Sequence, residues 1–170
     1  MKFVLQLKHW QLFLMSIILP YLLKVMSSIY IGVNNNNNIE FFTNLLLIIV
    51  LFSWLWTMAN KLSEISKKIK EQELWNFKII FIISVLFLIS LFWIITHGLI
   101  VEYSFILFMV PIYLFFMVKI MLFIAKNLKT AELNRDVDLN EYIVDAILIW
   151  FFPLGIWVIQ PRINRLFKDF

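Results

Sequence analysis

The sequence predicts an all-α integral membrane protein with four transmembrane helices plus a C-terminal re-entrant or interfacial helical hairpin. It is 62% hydrophobic with a mean hydropathy of +0.88, which leaves too little polar surface to cover a soluble domain of 170 residues. Apolar runs long enough for a helix to cross about 30 Å of hydrocarbon recur along the chain. Polar, charged loops separate these runs, so residues 1–170 are predicted to form a single membrane domain.

The first predicted span covers residues 10–33. Trp10 stands at its start, where aromatic side chains commonly sit at the membrane–water interface. Pro20 is predicted to interrupt and kink this helix, an irregularity that membrane helices tolerate. Lys24 is the basic residue that lies well inside a predicted span. The uncharged asparagine run at 34–38 then predicts a short exposed loop.

The next three spans are predicted over residues 41–60, 77–96 and 104–125. The second of the four ends in SWLWTMANKL, which places Trp54 and Trp56 near an interface. A polar loop of mixed charge follows it, and another follows the fourth span. Between the third and fourth spans the chain is predicted to turn at a His-Gly pair.

The positive charges predict how these spans are oriented. If the amino terminus is cytoplasmic, 14 of the 15 basic residues face the cytoplasm and the loops on the opposite side carry none. Both termini are therefore predicted to be cytoplasmic. The net charge of +4 is explained by this asymmetry, and no nucleic-acid partner is predicted. The basic cluster at 67–70 suits anionic lipid headgroups, although orientation alone explains it equally well.

A fifth apolar run, residues 142–159, is unlike the other four. If it crossed the membrane, the basic tail 161–170 would be translocated, against the charge asymmetry. Pro153 and Gly155 also interrupt the run near its middle. These features favour a re-entrant or interfacial hairpin over about 138–160, and an ordinary fifth span with the tail outside is the alternative.

The sequence also predicts the internal layout of this hairpin. Asp138 and Glu141 have the spacing of a capping box at the start of a first half-helix, which should run to about Phe152. Residues 153–155 are predicted to turn the chain, and residues 156–160 to return it. Irregular backbone at membrane depth must be covered by protein, so the hairpin is predicted to pack against the four spans.

The aromatic residues and breakers of the hairpin are the candidate interaction residues, because they could grip a lipid or a partner helix. The alternative is that the aromatic ones are interfacial anchors. These candidates are Trp150, Phe151, Phe152, Pro153, Gly155, Trp157, Gln160 and Pro161.

Lys24 is a candidate functional charge, because ionisable residues within spans are commonly functional. Its predicted partners are Glu40 and Glu102, the two acids on that side of the membrane. Alternatively, its long side chain reaches the nearby interface and only its stem lies in hydrocarbon.

Glu141 and Asp145 are separated by one helical turn and could present paired carboxylates to a cation or a proton at the membrane surface. The favoured alternative is that both balance Arg162 and Arg165, so that ion pairs close the hairpin.

The runs AKNLKTAELNRDV and IWFFPLGIWVIQPRINRLF resemble the carboxyl end of a group of small, uncharacterised membrane proteins of Bacteroidota. The run SWLWTMANKL is similar to the matching place in that group, and WQLFLMSIILP is similar to its start. The resemblance implies a four-span protein of the bacterial inner (cytoplasmic) membrane and a shared role for the WFFP-GIW-IQP motif. It implies no activity.

The sequence carries no catalytic signature. It contains no cysteine, no nucleotide-binding or metalloprotease motif, and no acid or histidine at the centre of a predicted span. No enzyme activity, cofactor or metal site is therefore predicted. The favoured function is a non-enzymatic accessory, immunity-type or scaffold subunit that acts through helix–helix contacts, either as a homo-oligomer or with another membrane protein. The alternative is an oligomeric pore or membrane-perturbing effector with the hairpin at its opening; a transporter or lipid-modifying enzyme is less favoured.

Overall fold

A computed structural model of the chain describes residues 8–31, 37–66, 70–96 and 103–167. Within these ranges the chain is helical apart from short connections and contains no strand, which confirms the predicted all-α class. The helices are α1 (His9–Phe13), α2 (Leu19–Ile31), α3 (Asn37–Ile65), α4 (Glu71–Thr96), α5 (Tyr103–Leu133), α6 (Leu139–Trp150) and α7 (Phe152–Leu166). A π-helical turn, Leu14–Ile18, joins α1 to α2.

Three of these helices contain apolar segments long enough to cross a membrane: Phe41–Ile65, Glu71–Ile94 and Leu107–Leu133. They lie within α3, α4 and α5. The first apolar segment of the described chain, Trp10–Met26, is shorter. The helices continue past the predicted ends of the spans into polar sequence, because residues such as Lys, Glu and Gln are good helix formers wherever they reach water.

The irregular first helix follows from Pro20. Proline has no backbone N–H, so the carbonyl one turn earlier lacks its usual donor. The π-helical turn Leu14–Ile18 lies immediately before this position and changes the pairing of carbonyls and amides. Within the turn, the buried Ser16 hydroxyl donates a hydrogen bond of 3.4 Å to the carbonyl of Phe13. The helix therefore changes to π-helical hydrogen bonding before the proline and then continues through it.

The core is formed by α3, α4 and α5 together with the buried sides of α6 and α7, and contacts between aromatic rings join the first three of these helices. Phe52 of α3 meets Phe81 of α4 edge-on, with ring centroids 5.3 Å apart. Phe77 of α4 and Phe123 of α5 are stacked at 4.6 Å. Small residues are too few to allow close backbone contacts, so bulky side chains fill the space between these helices.

Several loop predictions fall partly or wholly outside the described residues. Of the predicted asparagine loop, Asn37 and Asn38 instead begin α3, while residues 34–36 lie outside the described ranges. The His-Gly turn at 97–98 and residues 67–69 of the basic cluster also lie outside them.

Candidate functional site

The C-terminal hairpin consists of α6 and α7, which Phe151 alone separates. The predicted capping box is confirmed: the backbone N–H of Asp138 donates a 2.9 Å hydrogen bond to the Glu141 carboxylate, and the Asp138 side chain accepts one from the first turn. Phe151 breaks the helical path with φ −81° and ψ 60°. Two short helices thus meet at one irregular residue.

The turn lies earlier than the sequence predicts. Pro153 does not end the first helix but stands in the first turn of α7, a position where its missing N–H costs no hydrogen bond and its fixed φ favours helix. The second helix also continues past the predicted end at Gln160, through Pro161, to Leu166. Residues 153–155 are therefore helical, and the interpretation of them as the turn is wrong.

At Gly155 the backbone of α7 lies directly against the backbone of α6. It is buried, and a Cβ atom at this position would lie 1.8 Å from the carbonyl oxygen of Leu148. No side chain fits at such a distance, so the hairpin can close this tightly only on a glycine.

Arg162 connects three helices through charged hydrogen bonds. Its Nε and Nη2 donate to the two carboxylate oxygens of Glu132 at 2.7 Å each. Its Nη1 and Nη2 donate to Asp145 at 2.5 and 2.9 Å. The planar guanidinium suits two bidentate carboxylates in this way, whereas a lysine ammonium does not. Arg162 thereby links α7 to both α5 and α6.

The Arg162 cluster is largely withdrawn from water. The Asp145 side chain is only 8% exposed, and those of Arg162 and Glu132 are 23% and 22% exposed. Hydrogen bonds to Asp145 and then to Glu132 raise the pKa of Arg162 above its already high usual value. The group is charged at every relevant pH, and removing it would leave a buried carboxylate without its partner.

Gln160 makes a second buried polar link, to Trp54 of α3. The indole Nε1 donates to the Gln160 Oε1 at 2.7 Å, and the Gln160 Nε2 donates to Asn164 at 3.1 Å. Trp54 and Gln160 are both fully buried. The ring of Phe152 meets that of Trp54 edge-on at 5.3 Å. Trp54 of α3 therefore contacts the hairpin both at its tip, through Phe152, and nearer its base, through Gln160. Glu132 of α5 contacts it near its base through Arg162.

Comparison with protein families, curated proteins and solved structures finds no match for this chain. Within the described ranges, no group of three or more His, Asp or Glu side chains is arranged to hold a metal ion.

The outer face of the hairpin is apolar and open. Val144 is 62% exposed, Phe151 56% and Leu154 68%. Trp157 is 49% exposed and touches the rest of the bundle through Phe13, with ring centroids 6.3 Å apart. We call the following set the outer hairpin face: Leu139, Ile143, Val144, Ile147, Trp150, Phe151, Leu154, Trp157 and Val158.

The candidate residues thus divide into two groups. Trp150, Phe151, Pro153 and Trp157 are exposed at the outer side. The remaining hairpin candidates turn inward or lie partly covered: Phe152, Gly155, Asp145 and Gln160 are buried, and Pro161 and Glu141 are half-buried.

Lys24 lies apart from the hairpin residues, exposed on α2. For its two predicted partners, the side chain of Glu40 and the whole of Glu102 lie outside the described part of the chain.

Sequence reasoning missed Trp54 and Glu132, each of which holds the hairpin to a spanning helix. The position of Trp54 near the end of a span predicts an interfacial anchor, whereas the structure buries Trp54 against Gln160. The available signal was Gln160 at the end of an apolar run. A glutamine that is buried there needs a polar partner, and Trp54 provides one. Glu132 gave no local signal, because its partner Arg162 is 30 residues away.

Glu141 pairs with Arg135 of the α5–α6 connection rather than with Arg162 or Arg165. Hydrogen bonds from Arg135 and from the Asp138 backbone lower the pKa of Glu141. A group whose pKa is lower in the folded state contributes stability above its unfolded pKa, and loses it as the pH falls through the folded pKa.

Wild type is therefore expected to unfold at a higher temperature than Glu141→Gln at neutral pH. The difference should shrink as the pH falls below about 4.3, the usual pKa of glutamate. Thermal unfolding of both proteins in detergent from pH 7 to pH 3 would measure this. A constant difference across that range would show that the carboxylate charge does not stabilise the α6 start.

Proposed function

We propose that this chain is a non-enzymatic membrane interaction protein, an accessory, immunity-type or scaffold subunit of a bacterial inner membrane. The supporting observation is the two-sided construction of its C-terminal hairpin. Polar and charged groups, led by Arg162, Asp145 and Gln160, point inward and fix the hairpin to α3 and α5. The outer hairpin face presents large apolar side chains.

The internal polar contacts support an interaction role because they fix position more than they add stability. Buried ion pairs lose much of their Coulombic gain to desolvation, so their best-attested use is to specify one arrangement. A hairpin held in one arrangement offers a partner a preformed surface, and binding to it carries little cost in ordering entropy. An apolar membrane anchor would need neither the Arg162 cluster nor the Trp54–Gln160 contact.

The same proposal includes four spans, two cytoplasmic termini and a re-entrant hairpin. In support, α6 has 12 residues and a length of about 18 Å, too short to cross about 30 Å of hydrocarbon. Because the chain lacks cysteine, single cysteines at Asn36 and Phe170 give unambiguous labelling with an impermeant reagent. Labelling of Phe170→Cys from the outside would contradict the re-entrant arrangement.

Site-directed photocrosslinking in the native membrane tests the interaction role. We expect a photoreactive maleimide on Val144→Cys or Leu154→Cys to give a protein adduct of fixed mass. Leu86→Cys on α4 and Leu107→Cys on α5 are matched controls, because those side chains are 62% and 77% exposed on predicted lipid-facing helices.

Adducts from the hairpin positions and not from the controls would support a protein partner. An adduct of twice the chain mass would identify that partner as a second copy. If expression also collapsed the membrane potential, the oligomeric pore would replace the scaffold. Adducts with lipid alone at all four positions would contradict the proposal.

A further inference from the structure

Lys119 of α5 is a positive charge placed within an apolar helix. It lies in the membrane-length segment Leu107–Leu133, two helical turns or about 10 Å before Lys126, where the polar end of α5 begins. The side chain of Lys119 is exposed on the outside of the helix bundle. Its ammonium group therefore faces whatever surrounds the protein at this depth.

This ammonium has no carboxylate partner within the described part of the chain. The Nζ of Lys119 lies 5.5 Å from the centre of the Phe115 ring, one turn earlier on α5, and no ion pair joins it to a described residue. An aromatic face attracts a cation but carries no net charge. Glu73 of α4 lines the same depression in the surface, but it pairs with Lys126 at 3.4 Å between Nζ and Oε2.

The direction of the side chain keeps this ammonium away from the polar end of α5. Side chains of an α-helix lean toward its amino terminus, whereas the polar end of α5 is its carboxyl end. The contact with Phe115 extends Lys119 in the amino-terminal direction. A lipid phosphate at the level of Lys126 would therefore lie about 10 Å too far along the helix. An ammonium at this depth is unfavourable unless an anion reaches it there.

A second copy of this chain does not supply the missing anion. Its four predicted spans contain no Asp or Glu. Asp145 of the hairpin is only 8% exposed and is bound to Arg162. The anion therefore has to come from a different molecule, and a carboxylate on a membrane helix is the group that can be held at this depth.

The surface around Lys119 is suited to such a helix. Phe108 and Phe115 lie on the same side of α5 as Lys119 and are 66% and 57% exposed. Leu122 lines both the depression that contains Lys119 and an apolar groove of about 370 Å³, whose other wall is formed by the outer hairpin face. Lys119 and the outer hairpin face therefore belong to one continuous surface. Leu107 projects about 120° away from Lys119 around the helix axis and lies about 18 Å nearer the amino end, so it remains a lipid-facing control position.

We propose that Lys119 binds a carboxylate on a transmembrane helix of another protein, a helix that carries one Asp or Glu at the same depth. The ion pair would remove the cost of an isolated charge in hydrocarbon, and apolar side chains around Lys119 would pack against the rest of the helix. Lys119 thereby selects which partner the surface accepts. The inference rests on the interaction role proposed above and adds the chemistry of the partner.

Fluorescence energy transfer in phosphatidylcholine vesicles tests this with synthetic polyleucine helices as probes. One probe carries a single Asp at the depth of Lys119, and the other carries Leu there. We expect the full chain, labelled at Phe170→Cys, to bind the Asp probe about tenfold more tightly, the effect of one polar contact between membrane helices. Lys119→Leu should bind both probes equally, and Lys119→Asp should instead prefer a probe with Lys at this depth. Lys24→Leu is the matched control, because it removes another lysine exposed on a predicted span and should keep the preference.

Four results would overturn the proposal. They are equal binding of the Asp and Leu probes to wild type, an unchanged preference in Lys119→Leu, an equal loss of preference in Lys24→Leu, and displacement of the Asp probe by phosphatidylglycerol, which would identify a lipid as the anion. If Lys119→Asp does not fold, wild type, Lys119→Leu and Lys24→Leu decide the question.

Thermal unfolding separates partner recognition from a structural role of Lys119. Lys119→Leu should unfold at the temperature of wild type or above it, because it removes an unpaired charge from an apolar segment. A lower unfolding temperature would mean that Lys119 stabilises the chain itself, against the proposal. Hairpin crosslinking is scored separately: a captured partner whose spans contain no Asp or Glu would support the interaction role and overturn this inference.

Discussion

Replacing Arg162 with methionine is expected to lower the free energy of unfolding by about 3 kcal/mol, because it leaves a buried carboxylate without a partner. Asp145 is only 8% exposed, and Glu132 close by would then repel it. This expected loss is at the lower end of the range for breaking a buried ion pair, because water reaches part of the guanidinium. Equilibrium unfolding in mixed detergent micelles would measure the loss.

Two companion variants separate the ion cluster from ordinary packing. Arg165→Met removes a positive charge one turn later from an exposed position and should change stability little. Adding Asp145→Asn to Arg162→Met should restore part of the loss, because it removes the uncompensated charge. If the loss of unfolding free energy in the double variant equalled the sum of the losses in the two single variants, the charged cluster would not act as a coupled unit.

Arg162→Lys distinguishes charge from geometry. Lysine keeps the positive charge but cannot donate in a bidentate manner to Glu132 and Asp145 together. We therefore expect the free energy of unfolding of Arg162→Lys to lie between that of wild type and that of Arg162→Met. A lysine variant as stable as wild type would mean that a point charge is sufficient to hold α7 against α5 and α6.

Composition and hydrophobic run length were sufficient to predict the membrane-length helices, because burial in hydrocarbon depends on the summed side chains of a segment. The capping box at Asp138 and Glu141 was predictable for a similar reason, since all its hydrogen bonds are local in sequence. Such features need no knowledge of which helices are neighbours.

The contacts that fix the hairpin could not be predicted in the same way. The Trp54–Gln160 hydrogen bond joins residues 106 positions apart. A tryptophan near the end of a span serves equally well as an interfacial anchor or a core residue, and only the docked hairpin decides between them. The Arg162–Glu132 pair likewise depends on how α7 packs on α5.

Pro153 illustrates a different failure. Proline both ends helices and begins them, and the sequence alone did not show which role applied. In the structure the break falls at Phe151, whose backbone leaves the helical region, and the proline stabilises the helix that follows. The break therefore precedes the predicted turn at residues 153–155, because Pro153 begins a helix instead of ending one.

Gly155→Ala adds one methyl group, and we expect it to destabilise the hairpin more than a methyl group added at any other position of the hairpin. The new Cβ would lie 1.8 Å from the carbonyl oxygen of Leu148 and 2.6 Å from its carbonyl carbon. Both are backbone atoms, so no side-chain rotation can relieve the clash. The helices α6 and α7 must then separate, at a cost of about 3 kcal/mol, the upper end for overpacking.

The test compares Gly155→Ala with Leu154→Ala in the same unfolding assay, together with hydrogen exchange of α6 and α7. Leu154 is 68% exposed, so its truncation should leave both helices protected. Combining Gly155→Ala with Leu148→Ala should give no rescue, because the obstacle is the carbonyl of Leu148 and not its side chain. Rescue by Leu148→Ala, or wild-type protection in Gly155→Ala, would mean that the two helices do not approach as closely as the structure shows. The outer hairpin face would then not be held in one fixed arrangement and would not offer a partner a preformed surface.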